Sequence, residues 1–440
     1  MSTTASGDDA DLIIRGGHIR TFDPHGSIRS ALAVRDGVII ATDQDAEALA
    51  ARETIELDGR TALPGINDAH LHAAWLGARW PHLFFSDSPT GHHPTGRLAT
   101  TAADRRAALL HSWSLLAELG ITSYTEPGIG PGEDDGETGC FGTDMLDAYV
   151  DLHRQGAQTS RVTMLRLFGT IDGESTLADF EAGLRTPTPE TDHRWLAIPG
   201  VKIFADGIPP MATAWVQEPY PDGSTGHLLT RGADPVESFR SMVSLAASAG
   251  LQVAVHATGD RSIEEFLRVL ESLPPAATAP HYVVHGDLAT PDQIRRLRAI
   301  GAGFAVQPLI AAHTQEWAGA QLGAERLAAA WPLEEMVSSG VLTTITSDAP
   351  IATPDWRLGL DAALALLGAD DAETRTALLT RMTTDAARQD GAADWKGSLD
   401  VGKVADVVVL DEDPVEPGRP FAALGIARTI VDGRTVFTRP

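Results

Sequence analysis

Short apolar runs closed by turn residues recur along the chain, and their company changes twice. Near the amino end, residues 12–22 (LIIRGGHIRTF), 31–42 (ALAVRDGVIIAT) and 54–65 (TIELDGRTALPG) read as short strands. Gly16-Gly17, Asp36-Gly37 and Asp58-Gly59 punctuate them as hairpin-type turns. The carboxyl end repeats that texture in 405–413 (ADVVVLDED) and 427–437 (ARTIVDGRTVF), with Asp432-Gly433 as another turn. These two ends predict one small β-sandwich, assembled from residues 1–63 plus 396–440. The first nine residues are small and polar and are expected to lack regular structure.

Between the two ends, strand-like runs alternate with helical ones. The runs lie at 120–128, 161–169, 200–207, 251–257, 281–286, 301–308 and 341–350, and the segment before His70 makes an eighth. Helical stretches are predicted at 102–119, 235–249 and 323–339. Another helix carries its own caps, with Thr290 as N-cap, Pro291 at the first helical position, Gln293 completing a capping box and Gly301 past the end. Eight strands alternating with helices predict an α/β fold, a (β/α)8 TIM barrel over residues 64–395. A doubly wound sheet also alternates in this way. It does not gather the ends of the first, fourth, fifth, sixth and eighth strands, whereas a closed barrel does.

Composition narrows the class. The chain has 440 residues, 43% of them hydrophobic and 21% charged, as in an ordinary globular protein. Sixty acidic against 34 basic side chains give a formal charge of −26. That field repels nucleic acid and anionic lipid, so no nucleic-acid or membrane partner is expected. A single cysteine, Cys140, excludes an intrachain disulfide framework and thiolate zinc clusters. The opening residues read as no signal peptide, and no apolar run is long enough to cross a bilayer, so a cytoplasmic protein is expected.

The candidate chemistry sits at the strand ends. His70 and His72, in LPGINDAHLH, lie two apart on extended chain and point to one side, so both imidazoles reach one cation. His256 in LQVAVHATGD and His285 in HYVVHGDL would hold a second. His281 shares the parity of His285 but lies farther from the carboxyl end, and it reads as structural. Lys202 in GVKIFADG stands where burial favours a neutral amine, which can take up carbon dioxide as a carbamate with two oxygens for two ions. The plainer reading pairs it with Asp206 or Glu126. Asp348 in LTTITSDAP is placed at the barrel mouth as ligand and catalytic proton acceptor. Glu126 reads as a further ligand, a substitute bridge or the hydrogen-bond partner of a ligand histidine, the last being preferred. Trp75, Trp80, Phe84 and Phe85 follow the first strand and either line an apolar substrate pocket or pack in the core. His92 and His93 read as solvated; His18, His25, His111, His153, His193 and His313 read as surface or packing residues.

These motifs resemble the amidohydrolase superfamily. PGINDAHLH is similar to its first-strand signature and SDAP to its eighth-strand aspartate motif. GVKIFADG, AWVQEPY, LQVAVHATGDR and GSLDVGKVADVVVLDEDP resemble the branch holding N-substituted formamide deformylase and YtcJ-like proteins. The resemblance runs from about residue 11 to the end. It implies a metal-dependent hydrolase of C–N bonds, with His70, His72, His256, His285 and Asp348 as ligands and Lys202 as a carboxylated bridge between two zinc ions. Two features depart from that branch. Only about 48 residues separate His72 from Ile121, and Ile208-Pro209-Pro210 replaces the usual small polar residues.

The leading expectation is therefore hydrolysis of an amide, formamide or related acyl–nitrogen bond in a small molecule, by an enzyme for which a homo-oligomer is left open. Deamination of a heterocycle is the first alternative. It calls for a glutamate three positions after the fifth-strand histidine, where this chain has Gly259 followed by Asp260. A lyase, isomerase or decarboxylase reaction on the same scaffold is a further alternative.

Overall fold

The computed structural model describes residues 9–85, 92–276 and 279–440. The expectation for residues 1–8 lies outside them. Eight parallel strands form the barrel, numbered here β1 (Ile66–Asp68), β2 (Ile121–Ile129), β3 (Arg161–Leu167), β4 (Leu196–Phe204), β5 (Gln252–Ala257), β6 (Tyr282–His285), β7 (Gly303–Val306) and β8 (Leu342–Ile345). Each is bonded to its neighbours in chain order from β1 to β8. Helices cover the outside, among them Ala102–Glu118, Pro235–Ser248 and Pro291–Ala299. The last has the capping box of Thr290 and Gln293, and Gly301 follows it at φ +75°.

Register explains which side chains enter the barrel. Lys202 lies beside Ala254 and Ala254 beside Tyr282, while Phe204, His256 and Val284 form the next row. Leu165, Ala254, Tyr282, Val284 and Ala305 pack together as an inner core. On β6 the inward residues are thus 282 and 284, which corrects the expectation that His281 and His285 share an inward face. His285 enters the site by another route, a left-handed backbone at φ +72° that re-aims the chain where β6 ends. His281 accepts the amide of Val253 at 3.0 Å, away from the barrel mouth.

Among the described residues no ladder joins β8 to β1. Side chains and loops close this seam instead. The carboxylate of buried Asp68 accepts the Ser347 amide at 3.1 Å, the Asp348 amide donates to the carbonyl of His70 at 2.9 Å, and the His72 amide donates to that of Ala349 at 2.7 Å.

Both ends of the chain join one further sheet of eight strands. Thr61–Pro64 pairs with Val407–Leu410, which pairs in turn with Ile426–Val431. The edge strand Val38–Thr42 also meets residues 402–405 through backbone bonds, so the sheet folds over a core that includes Ile14, Leu32, Val407 and Ile430. Asp36-Gly37 and Asp432-Gly433 make the expected hairpins, with positive φ at both residues of each.

Two expected turns are corrected. Gly16-Gly17 lies inside one long strand, Ala10–Arg20, and Asp58-Gly59 joins two strands that lie end to end beside it, Ala51–Glu56 and Thr61–Pro64. The glycines admit the step between those neighbours, because a Cβ on Gly17 would stand 2.3 Å from the carbonyl oxygen of Arg60. The expected helix at 323–339 is also corrected. Helix Pro308–Ala329 continues through a break at Gly323, and Pro332 then forces a new start at Leu333–Ser339.

Candidate metal centre

The tight turn after β1 carries His70 and His72 just beyond the strand itself, with ring centroids 5.4 Å apart. Asp348, three residues past β8 and at φ +56°, sends Oδ1 to 3.3 Å from His70 Nε2 and 3.5 Å from His72 Nε2. Ligand atoms of these three buried residues lie within 4.8 Å of one another. The second pair is next to them. His285 stands 5.9 Å from His70 and 4.5 Å from His256, ring to ring, so the four imidazoles form a continuous row.

Each histidine has a distinct setting. Glu126 Oε1 is 3.2 Å from His72 Nδ1, and its other oxygen accepts from the hydroxyl of Tyr149 at 2.9 Å and the amide of Ala74 at 3.4 Å. Behind it the relay continues through Tyr124, 3.2 Å from the Tyr149 oxygen, to the indole N–H of Trp113 at 2.9 Å. The Glu126 carboxylate thereby fixes the ring and leaves Nε2 facing Asp348. Burial pushes the His72 pKa down, but the bond and charge of Glu126 outweigh it and raise the pKa overall. His70 and His285 are driven well below the ordinary value by burial, helped by Lys202 for the first and His256 for the second. His285 Nδ1 is 2.7 Å from Gln307 Oε1, and His256 Nε2 is 3.1 Å from the carbonyl of Gly207. Each therefore keeps its other nitrogen for a ligand.

Lys202 is buried, and its Nζ has no hydrogen-bond partner among the described residues. Its nearest defined contact is the face of Phe204, 4.9 Å from the ring centroid. Burial lowers its pKa to about 7, against the opposing charges of Asp348 and Asp172. The plainer pairing with Asp206 or Glu126 does not form. Asp206 is occupied by the amides of Trp215, Thr258 and Gly259 and the hydroxyl of Ser262, and Glu126 by His72 and Tyr149.

The aromatic residues divide. Trp75 is 6.3 Å from His72 and 5.1 Å from Phe84, ring to ring. Phe85 stacks on His313 at 5.5 Å, which gives that histidine a packing role. Trp80 packs against the main core instead. Phe141, unmarked by any motif, completes the group at 5.3 Å from His72 and 5.5 Å from Trp75. His92 and His93 are exposed. Tyr149, Phe141 and Gln307 escaped the sequence reading. Gln307, directly after β7, carried the one available signal, a polar side chain at a strand end.

Known proteins complete the picture. A family model described as the amidohydrolase family matches residues 85–437. The chain is 27% identical over 251 residues to a putative amidohydrolase, YtcJ, of Bacillus subtilis, covering 54% of this chain and 47% of that protein. It is 28% identical over 408 residues to the N-substituted formamide deformylase of Arthrobacter pascens, covering 85% of this chain and 71% of that protein. The match thus spans about half the length of YtcJ. An uncharacterized metal-dependent hydrolase from Pyrococcus horikoshii shares the fold, with a TM-score of 0.72 at 19% identity over 94% of this chain and 99% of that one. This chain belongs to the amidohydrolase family, in the branch of YtcJ and N-substituted formamide deformylase.

Proposed function

We propose that the protein hydrolyses an acyl–nitrogen bond, an amide or formamide of a small molecule, with the help of divalent metal held at the barrel mouth. The observation that carries this reading is the trio His70, His72 and Asp348, with Glu126 behind His72. The donors suit a zinc-like cation: two imidazole nitrogens and one carboxylate oxygen converge, and a buried amine stands nearby without a partner. In this reading His70, His72 and Asp348 would hold one ion and His256 and His285 a second, and Lys202, once carboxylated, would supply oxygen donors between them. Such a cation, when bound, polarises a carbonyl and lowers the pKa of water toward about 7.

The chain supplies the rest. Asp348 Oδ1, beside both imidazoles, takes the proton of the attacking water and returns it to the leaving nitrogen. Glu126 keeps His72 in one tautomer throughout. Trp75, Phe84 and Phe141 keep bulk water from that flank and offer an apolar wall to the substrate. The arrangement disfavours deamination. Asp260, the carboxylate nearest the deaminase position, accepts the amide of Gln217 at 3.0 Å, and a Cβ on Gly259 would stand 2.0 Å from the carbonyl of Trp215. Freedom from nucleic-acid and anionic-membrane partners belongs to the same proposal and rests on the acidic sequence.

The test is metal analysis of the purified protein together with turnover of N-formyl and N-acyl amines. Bound metal and release of free amine support the reading. Ammonia released from heterocyclic amines, with the amides untouched, would replace it with deamination.

A further inference from the structure

His256 is held by a short segment of the neighbouring strand's loop. The ladder between β4 and β5 sets Phe204 beside His256, so Asp206 and Gly207 leave β4 where Thr258 and Gly259 leave β5. Asp206 is buried, and its carboxylate accepts the amides of Thr258 at 3.0 Å and Gly259 at 2.9 Å and the hydroxyl of Ser262 at 2.7 Å. All three donors belong to the chain just after His256. The amide of Trp215, at 2.8 Å, draws the far end of the β4 loop onto the same carboxylate. Gly259 caps the helix Asp260–Glu271 and Ser262 lies in its first turn, so the carboxylate also faces a helix N-terminus.

The next residue completes the hold. The Gly207 carbonyl lies 3.1 Å from His256 Nε2, and the Thr258 hydroxyl donates to it at 2.7 Å. A carbonyl only accepts, so Nε2 carries the proton and Nδ1 keeps its lone pair. Neither glycine leaves room for a side chain. A Cβ would stand 2.1 Å from Thr213 Oγ1 at Gly207 and 2.0 Å from the Trp215 carbonyl at Gly259. The loop is thus packed to one backbone path around Asp206. Asp206 Oδ1 itself stays 4.0 Å from His256 Nε2, beyond hydrogen-bond reach, and acts on the ring through the backbone.

We propose that Asp206 is the positioning residue of His256, fixing through the Gly207 carbonyl where the ring stands and which of its nitrogens is free. Its counterpart across the centre is Glu126, which holds His72 by direct contact. That the free nitrogen serves a cation rests on the function proposed above; the hold on the ring does not.

Two measurements test this, the first without metal. In metal-free protein labelled with nitrogen-15 histidine, His256 is expected in the Nε2–H tautomer, its signal identified by its loss in His256→Gln. Asp206→Asn keeps the size but turns an NH2 group toward amide donors, so a mixture of both tautomers is expected. The second is zinc titration in competition with a chelator. Asp206→Asn is expected to weaken the later-binding zinc ion by about 10- to 100-fold and leave the earlier one unchanged. An unaltered His256 tautomer in Asp206→Asn overturns the proposal. So does equal weakening of both ions, the mark of general loosening. Should Asp206→Asn fail to fold, the double variant Thr258→Val with Ser262→Ala decides, and a native His256 tautomer there overturns the proposal as well. A protein that takes up one ion or none, while Asp206→Asn still mixes the tautomers, sinks the two-metal reading and leaves Asp206 its role.

Discussion

The two halves of the proposed metal centre are built from the same kinds of residue and held in opposite ways. On the β1 and β8 side, every ligand candidate touches a carboxylate: His70 and His72 meet Asp348, and His72 meets Glu126. On the β5 and β6 side, the imidazoles make their hydrogen bonds to neutral groups, the Gly207 carbonyl and the Gln307 amide, and one carboxylate, Asp206, stands off at 4.0 Å from His256 Nε2. The Nζ of Lys202, buried nearby, has no hydrogen-bond partner among the described residues. Contacts with carboxylates on the first side bring its three donors together before any cation arrives. On the second side burial keeps the His285 ring neutral and ready to donate, and the carboxylate of Asp206, 4.0 Å from His256 Nε2, is engaged by the amides of Trp215, Thr258 and Gly259 and the hydroxyl of Ser262, so less negative charge is free to attract a cation. The first side is therefore expected to bind metal more tightly, and the second to depend on what happens at Lys202.

This asymmetry can be broken in graded steps. His70→Ala should abolish metal binding on the first side and reduce activity to background, read by elemental analysis and an amine-release assay. Asp348→Asn keeps the shape but removes the proton acceptor, so kcat should fall by about 10²- to 10⁴-fold. Retention of full activity would remove Asp348 from the mechanism. Lys202→Ala should lower the metal content from two ions per chain to one, with the first side still loaded. Loss of both ions, or of neither, would erase the distinction between the halves. Glu126→Gln should weaken metal affinity by about 10- to 100-fold, measured by competition with a chelator. Gln307→Leu should weaken it less, because a neutral partner stabilises the cation-bound ring less than a carboxylate does. A reversed order for the last two would mean that charge behind the ligands is not what separates the sides.

The clustering of the candidate ligands was legible because they sit where apolar runs give way to turn residues, as in VAVHATGD and TITSDAP. The role preferred for Glu126 matches its contact with His72. Relations that depend on packing were not legible. Phe141 comes from the segment between β2 and the helix Thr143–Arg154, where no periodicity points toward the site. His285 is inward for a reason opposite to the one its parity suggested, a left-handed backbone rather than strand alternation. In the terminal sheet, Gly16-Gly17 looks like any turn dipeptide. Its function as a step in a continuous strand is set by Arg60 and Glu56, some forty residues away. The break at Pro332 was readable in principle, since a proline sat inside the expected helix.

The unlaced seam between β8 and β1 ties the durability of this protein to its chemistry. The backbone bonds bridging that gap belong to His70, His72 and Asp348, the same residues whose side chains gather the cation donors. An ion seated there would rivet the first and last staves together, so chelation should lower the melting temperature as well as silence the enzyme.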